Sequence, residues 1–171
     1  QLFCEGHHLR FQNYLRLQDH TSQSSNMVSE VQAFMKDIVA VDMDNTLCDV
    51  ALQGFNTLTE FCQGPCQLNQ AALLQCNVCH EVNIVFHMQK NNADDVGQLD
   101  FDLQSAAVVM LLSLLEGSTD NSGTDVMVKT LDFEAMHGTL NAMWKSVRDG
   151  VTEGGLVPLS DSQEETLDLT F

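Results

Sequence analysis

The stretch "IVAVDMDNTLCD" at positions 38–49 sets Asp42, Asp44 and Thr46 in a D-x-D-x-T frame behind a short apolar run. Paired aspartates of this kind at the end of a β-strand suit phosphoryl transfer: one attacks phosphorus and the other protonates the leaving group. Thr57, Lys90 and the pair Asp94–Asp95 are the residues available to complete such a magnesium-dependent site. A second set is Cys62-x3-Cys66 followed by Cys76-x2-Cys79-His80. These are donor types and spacings from which a tetrahedral zinc site can be assembled, with Gly64-Pro65 as a tight knuckle.

Either chemistry depends on the elements that would carry it. Apolar residues recur at three- and four-residue steps: Met27, Val28, Val31, Phe34, Met35, Ile38 and Val41 form one stripe, and Leu47, Val50, Ala51, Phe55, Leu58 and Cys62 another. Further stripes cover 68–88, 99–115 and 126–147, the last with Phe133, Met136, Leu140 and Met143 as helix core. The polar stretches 19–26, 90–98 and 117–124 read as connectors and caps. No segment alternates with period two, so the expectation is all-α, about six helices with short connectors. The first stripe runs through 38–41 in phase and predicts helix as far as Val41. Asp42 to Asn45 then reads as a link, with Asp44 or Asn45 capping the next helix. The frame's resemblance to haloacid-dehalogenase-like phosphatases, built on Asp42 and Asp44, remains an alternative function, since it demands a strand where the periodicity gives helix. Cys62 and Cys76 fall on apolar stripes, where cysteine behaves as a small hydrophobe. The expectation is no disulfide and no stoichiometric zinc. Cys4 and Cys48 read as core, the histidines as scattered surface or core residues, and Glu116, Asp120 and Asp125 as solvated loop and cap carboxylates.

The chain has 171 residues, 44% of them apolar, enough for one domain with a sizeable core. Its formal charge is −17, from 24 acids against seven Lys and Arg. That balance disfavours nucleic acid and anionic membrane surfaces and favours cations or basic segments. No apolar run reaches the roughly 18–20 residues of a spanning helix. Cysteines without a secretory signal point to reduced thiols. The chain starts at Gln1 inside an apolar pattern, as expected of a piece cut from something longer. An acidic tail from about Asp149, with Gly150, Gly154, Gly155 and the run "DSQEETLD", is expected to be flexible.

Two stretches carry more than periodicity: "LFCEGHHLRFQNYLRLQ" (2–18) and "FNTLTEFCQGPCQLNQ" (55–70). With "AVVMLLSLLEG" (107–117), in that order, they resemble the homology-associated domain of ryanodine and inositol trisphosphate receptors. The resemblance extends to about residue 148, giving a helical domain at 1–148 and a tail at 149–171, and is weak over 20–54. It implies an armadillo-like helical block on the cytosolic face of the endoplasmic or sarcoplasmic reticulum, within a homotetrameric, ligand-gated calcium-release channel. It also implies calcium as the bound ion. By motif, Glu5 of "FCEGH" and Glu60 of "LTEFCQG" are the calcium ligands, with His7 and Gln63 supporting them. A carbonyl from the C-terminal, pore-proximal domain of the same channel completes the site. Phe61 and His8 depart from the family pattern without touching a ligand. Calcium takes six to eight oxygens, so two glutamates on separate helices leave a site that another domain can close. A purely structural helical scaffold is the remaining alternative.

Overall fold

The structure, a computed structural model, describes Cys4 and residues 7–18, 23–88 and 98–152. Among the described residues it contains eight helices and no strand: α1 (Leu9–Arg16), α2 (Met27–Val39), α3 (Asn45–Cys62), α4 (Gln67–Gln75), α5 (Val78–His87), α6 (Gln98–Leu115), α7 (Ser122–Thr130) and α8 (Phe133–Thr152). The all-α expectation holds.

Helix α3 lies along α6, and together they form the centre of the domain. Most of the expected stripe on α3 is buried: Ala51, Phe55, Leu58 and Cys62 are fully enclosed, as is Cys48, whereas Leu47 and Val50 are only half-buried. Burying side chains the size of Phe55 and Leu58 contributes about 1.5–3 kcal/mol each. Helix α6 is enclosed on most of its circumference: Leu103, Ala107, Met110, Leu111 and Leu114 are buried, and so are Gln104, Ser105 and Ser113. It meets α3, α4, α5 and α7, which is why it is apolar almost all round.

The helix boundaries are set by caps. The Asn26 side chain accepts from the Ser29 amide at 3.2 Å and starts α2. The Asp44 carboxylate accepts from the Leu47 amide at 2.9 Å and starts α3. Met43, just before that cap, and Cys48, in the first turn, are both buried in the positions of a hydrophobic staple. Helix α2 stops at Val39 rather than running through Val41, because the chain must turn there for α3 to fold back on α2; Val41 is 53% exposed.

Eight helices replace the expected six because two in-phase stripes are broken. The stripe over 68–88 breaks at Asn77, whose φ of +63° is left-handed, a conformation asparagine tolerates better than most residues. The stripe over 126–147 breaks at Asp132, whose carboxylate accepts from the Glu134 and Ala135 amides, both at 3.1 Å, and starts α8. Asn83 of α5 grips the same elbow twice, donating to the Thr130 carbonyl at 2.7 Å and accepting from the Asp132 amide at 2.9 Å. Beyond the elbow, Met136 packs on the core but Phe133 is 52% exposed, so the expected core stripe on α8 is only partly buried. The side chain of Met143 lies outside the described residues. Helix α8 continues to Thr152, past position 148. The proposed acidic tail beyond it, 153–171, lies outside the described residues, as does the 90–97 connector with Lys90, Asp94 and Asp95.

One carboxyl is inside. Glu81 of α5 is 2% exposed and its Oε2 has no hydrogen-bond partner. Burial raises its pKa above the ordinary 4.5, against its own backbone amide, the Gln32 side chain and the more distant His80 and Lys36. The folded chain therefore holds this proton to higher pH than the unfolded chain does. Stability is flat below 4.5 and falls as pH rises from there through the raised folded value. Glu81→Gln removes that slope. The expected result is a variant that gains on the parent steadily between mildly acidic and neutral pH in urea unfolding; a difference constant with pH would contradict the assignment.

Candidate functional site

The candidate site is the turn "CQGPC", where α3 ends and α4 begins. Gln63 is the C-cap of α3, its amide donating to the Thr59 carbonyl at 2.9 Å. Gly64 follows with φ +90°, a left-handed conformation that glycine adopts at little cost. Cys66 then opens α4, accepting at its carbonyl from the Gln70 amide at 3.0 Å.

Three polar side chains fasten other elements to this turn. Gln12 of α1 is fully buried, and its Nε2 donates to the carbonyls of Glu60 at 2.8 Å and Gln63 at 2.7 Å. Asn69 of α4, also fully buried, donates to the carbonyls of Gln12 at 3.0 Å and Phe61 at 2.8 Å and accepts from Arg16 Nε at 3.0 Å. From the far end of α6, the Glu116 carboxylate accepts from the Gly64 amide at 2.9 Å. Gln70 adds bonds to the carbonyls of Ser113 at 2.8 Å and Glu116 at 3.0 Å. The carbonyls that a helix end leaves without partners are thus met by side chains from α1 and α4.

Glu60 lies half-buried in the last turn of α3. Its charge reaches Cys4, whose thiol is pushed up first by burial and then by the fields of Glu60 and Cys66. His7 packs against the turn so closely that a β-carbon on Gly64 would lie 2.3 Å from the His7 Cβ. The structure therefore gathers Glu60, Gln63 and His7 at one place. It engages Gln63 through its backbone, and His7 is itself left-handed, with φ +62°. Helix α1 begins at Leu9, after the turn in which the Cys4 carbonyl accepts from the His7 amide at 3.1 Å. Glu5 lies outside the described residues.

The donor chemistry of this corner admits a hard cation only in part. Glu60 supplies carboxylate oxygens whose charge the Cys4 thiol registers. The Glu60 and Gln63 carbonyls are taken up by Gln12. Among the described residues no three His, Cys, Asp or Glu side chains gather in a metal-holding group. Glu60 would thus serve as one ligand among others supplied from elsewhere.

The remaining chemical sets are dispersed. All six cysteines are free thiols. Cys66 Sγ lies 4.0 Å from Asn13 Oδ1, whereas Cys76 Sγ lies 3.7 Å from Ser29 Oγ, so the two halves of the zinc spacing serve different helix contacts. Cys79 sits at the start of α5 within reach of the Thr130 hydroxyl. Asp44, second aspartate of the phosphatase frame, is spent on capping α3, and no strand precedes it.

Gln12 and Asn69 were not singled out by the sequence, and Glu116 is a tether to the turn rather than the solvated loop carboxylate expected.

An all-helical domain whose first stretch is fastened to one helix-ending turn is the class this fold defines. The pattern of the family described as "RyR and IP3R Homology associated" matches residues 1–86, and the chain belongs to that family. The inositol 1,4,5-trisphosphate receptor itr-1 of Caenorhabditis elegans is 31% identical over 143 residues, covering 77% of this chain. The chain spans only 5% of that receptor's length. No helix among the described residues is long and apolar enough to cross a membrane.

Proposed function

We propose that this chain is a calcium-sensing and coupling module of a ligand-gated intracellular calcium-release channel, on the cytosolic face of the endoplasmic or sarcoplasmic reticulum membrane. In this reading Glu5 and Glu60 hold calcium, and His7 and Gln63 order the stretches that carry them. The C-terminal, pore-proximal domain of the same homotetrameric channel adds the remaining ligand. The bound ion supplies positive charge that draws the two stretches and that domain together. The helical block stacks with its neighbours in an armadillo-like array. The observation that carries the reading is the pair of hydrogen bonds that the Gln12 amide donates to the Glu60 and Gln63 carbonyls, at 2.8 and 2.7 Å, which joins the first stretch to the turn bearing Glu60. Family membership supports the channel context. Coupling follows if calcium binds one docked arrangement of the block better than another, since only differential affinity shifts such an equilibrium.

Calorimetry on the chain, alone and with Glu5→Gln or Glu60→Gln, tests this. With ligands missing from the other domain, binding is expected in the millimolar range of weakly enclosed sites. Either near-isosteric change is expected to abolish it with helix content intact. Calcium binding unchanged in both variants would place the ligands elsewhere.

A further inference from the structure

A cavity of about 550 Å³ opens where the ends of α2 and α5 meet the elbow before α8. That is a size usual for a ligand-binding cleft. Val39, Val41, Ile84 and Met88 give its wall an apolar part, and Asp42 and Asp132 give it two carboxylates. Asp42 is the first aspartate of the D-x-D-x-T frame, left without a role when Asp44 caps α3.

The two carboxylates differ in what they already hold. Asp132 is committed: one oxygen accepts from the Glu134 and Ala135 amides, and the other lies 2.9 Å from His87 Nε2. Asp42 is not: among the described residues it has no hydrogen-bond or ion-pair partner. Helix ends add to its field. Helices α2 and α5 both finish at the wall, through Val39 and His87. The last carbonyls of a helix lack intrahelical partners and carry partial negative charge. The positive end of α8, at the same elbow, is already met by Asp132. No lysine or arginine lines the cavity, and Lys36, in the last turn of α2, stays outside its wall. Negative charge is therefore unanswered here, next to an apolar side chain, Val41, that is 53% exposed.

We propose that this cavity receives an arginine, with an apolar residue beside it, from a basic segment of a partner protein. The guanidinium would donate to Asp42 and to the carbonyls ending α2 and α5, while its methylenes and the neighbouring side chain cover Val41, Ile84 and Met88. Arginine suits the place better than lysine, because its planar fork reaches separate acceptors at once and sheds water more readily. A bare calcium ion suits it less, since calcium takes roughly six to eight oxygens and a single carboxylate here is uncommitted. The net charge of −17 draws a basic segment in and repels a second copy of the chain. This binding does not draw on the calcium reading.

The test uses the 171-residue chain in EDTA, which keeps calcium out. Its probes are a labelled peptide with an arginine between leucines, and the same peptide with lysine or with citrulline, the uncharged isostere, in its place. The expected result is saturable binding of the arginine peptide, several-fold weaker with lysine and about tenfold weaker with citrulline, as loss of a charge-assisted hydrogen bond gives. Asp42→Asn should weaken the arginine peptide by a similar factor and leave the citrulline peptide unchanged. Val41→Gln should weaken all three. Both positions are exposed, so circular dichroism should not move. Glu30→Gln, the same loss of charge at the opposite end of α2, is the control and should change nothing. Equal binding of the arginine and citrulline peptides would overturn the proposal. So would an equal loss from Glu30→Gln and Asp42→Asn, the result of net charge alone, or self-association of the chain that Asp42→Asn dissolves.

Discussion

Asn69→Ala is expected to cost about 2–4 kcal/mol of folding stability, because it leaves the buried Phe61 carbonyl without a donor at about 1–3 kcal/mol, takes the second of two donors from the Gln12 carbonyl and removes a charge-assisted bond from Arg16. Asn69 is completely enclosed, so no water is at hand to replace its amide. Its three bonds tie α1 through Gln12 and Arg16, α3 through Phe61, and its own helix α4 into one joint. Asn69→Asp should do no better than alanine. The aspartate keeps the acceptor for Arg16 but sets an oxygen against the Gln12 and Phe61 carbonyls, where repulsion replaces two bonds. Urea unfolding followed by circular dichroism measures both. A loss below about 1 kcal/mol for alanine would mean the joint is not holding these helices together.

That joint also marks how far the sequence could be read. The buried parts of the α2 and α3 stripes were legible because each recurs at helical spacing within one helix, α6 because it is apolar almost all round, and the Asp44 cap because a side chain reaching three residues ahead is a local event. The breaks at Asn77 and Asp132 were not, since the apolar residues on either side continue in phase and only a polar residue's backbone or cap role divides them. Gln12 and Asn69 meet across 57 residues of chain, and nothing local in either residue announces the other. Glu116 is in the same position, joined to Gly64 across 52 residues. Glu5 and Glu60 became candidates through resemblance; helical periodicity treats both as ordinary charges. The fold class thus follows from local pattern, whereas the architecture of the turn follows from long-range satisfaction of buried polar groups, which periodicity does not encode.

Gly64→Ala is the substitution expected to strike the turn itself. At φ +90° an L-residue is strained by about 1–3 kcal/mol before any contact is considered. The added methyl would also lie 2.3 Å from the His7 Cβ and 2.7 Å from its Cγ, well inside contact distance. Those atoms sit next to the His7 backbone, so no rotation of a flexible end relieves the clash. Either the His7 stretch lifts off the turn or Gly64 moves and gives up its 2.9 Å bond to Glu116. The combined cost is expected at about 2–4 kcal/mol. Gly54→Ala is the contrast: its methyl would meet the Met35 thioether, in mid-helix geometry any residue accepts, and an unbranched side chain can rotate away. The gain in helix propensity, up to about 1 kcal/mol, then offsets much of that repacking. On the proposed reading the two variants also part in calorimetry. Gly64→Ala should weaken calcium binding at temperatures where the chain is still folded, because lifting the His7 stretch pulls the first segment away from Glu60. Gly54→Ala, two turns up α3, should leave it unchanged. A Gly64→Ala chain with wild-type stability would mean that the close approach of His7 is not holding the first stretch. A destabilised one with undiminished calcium binding would separate the turn's structural role from the proposed site.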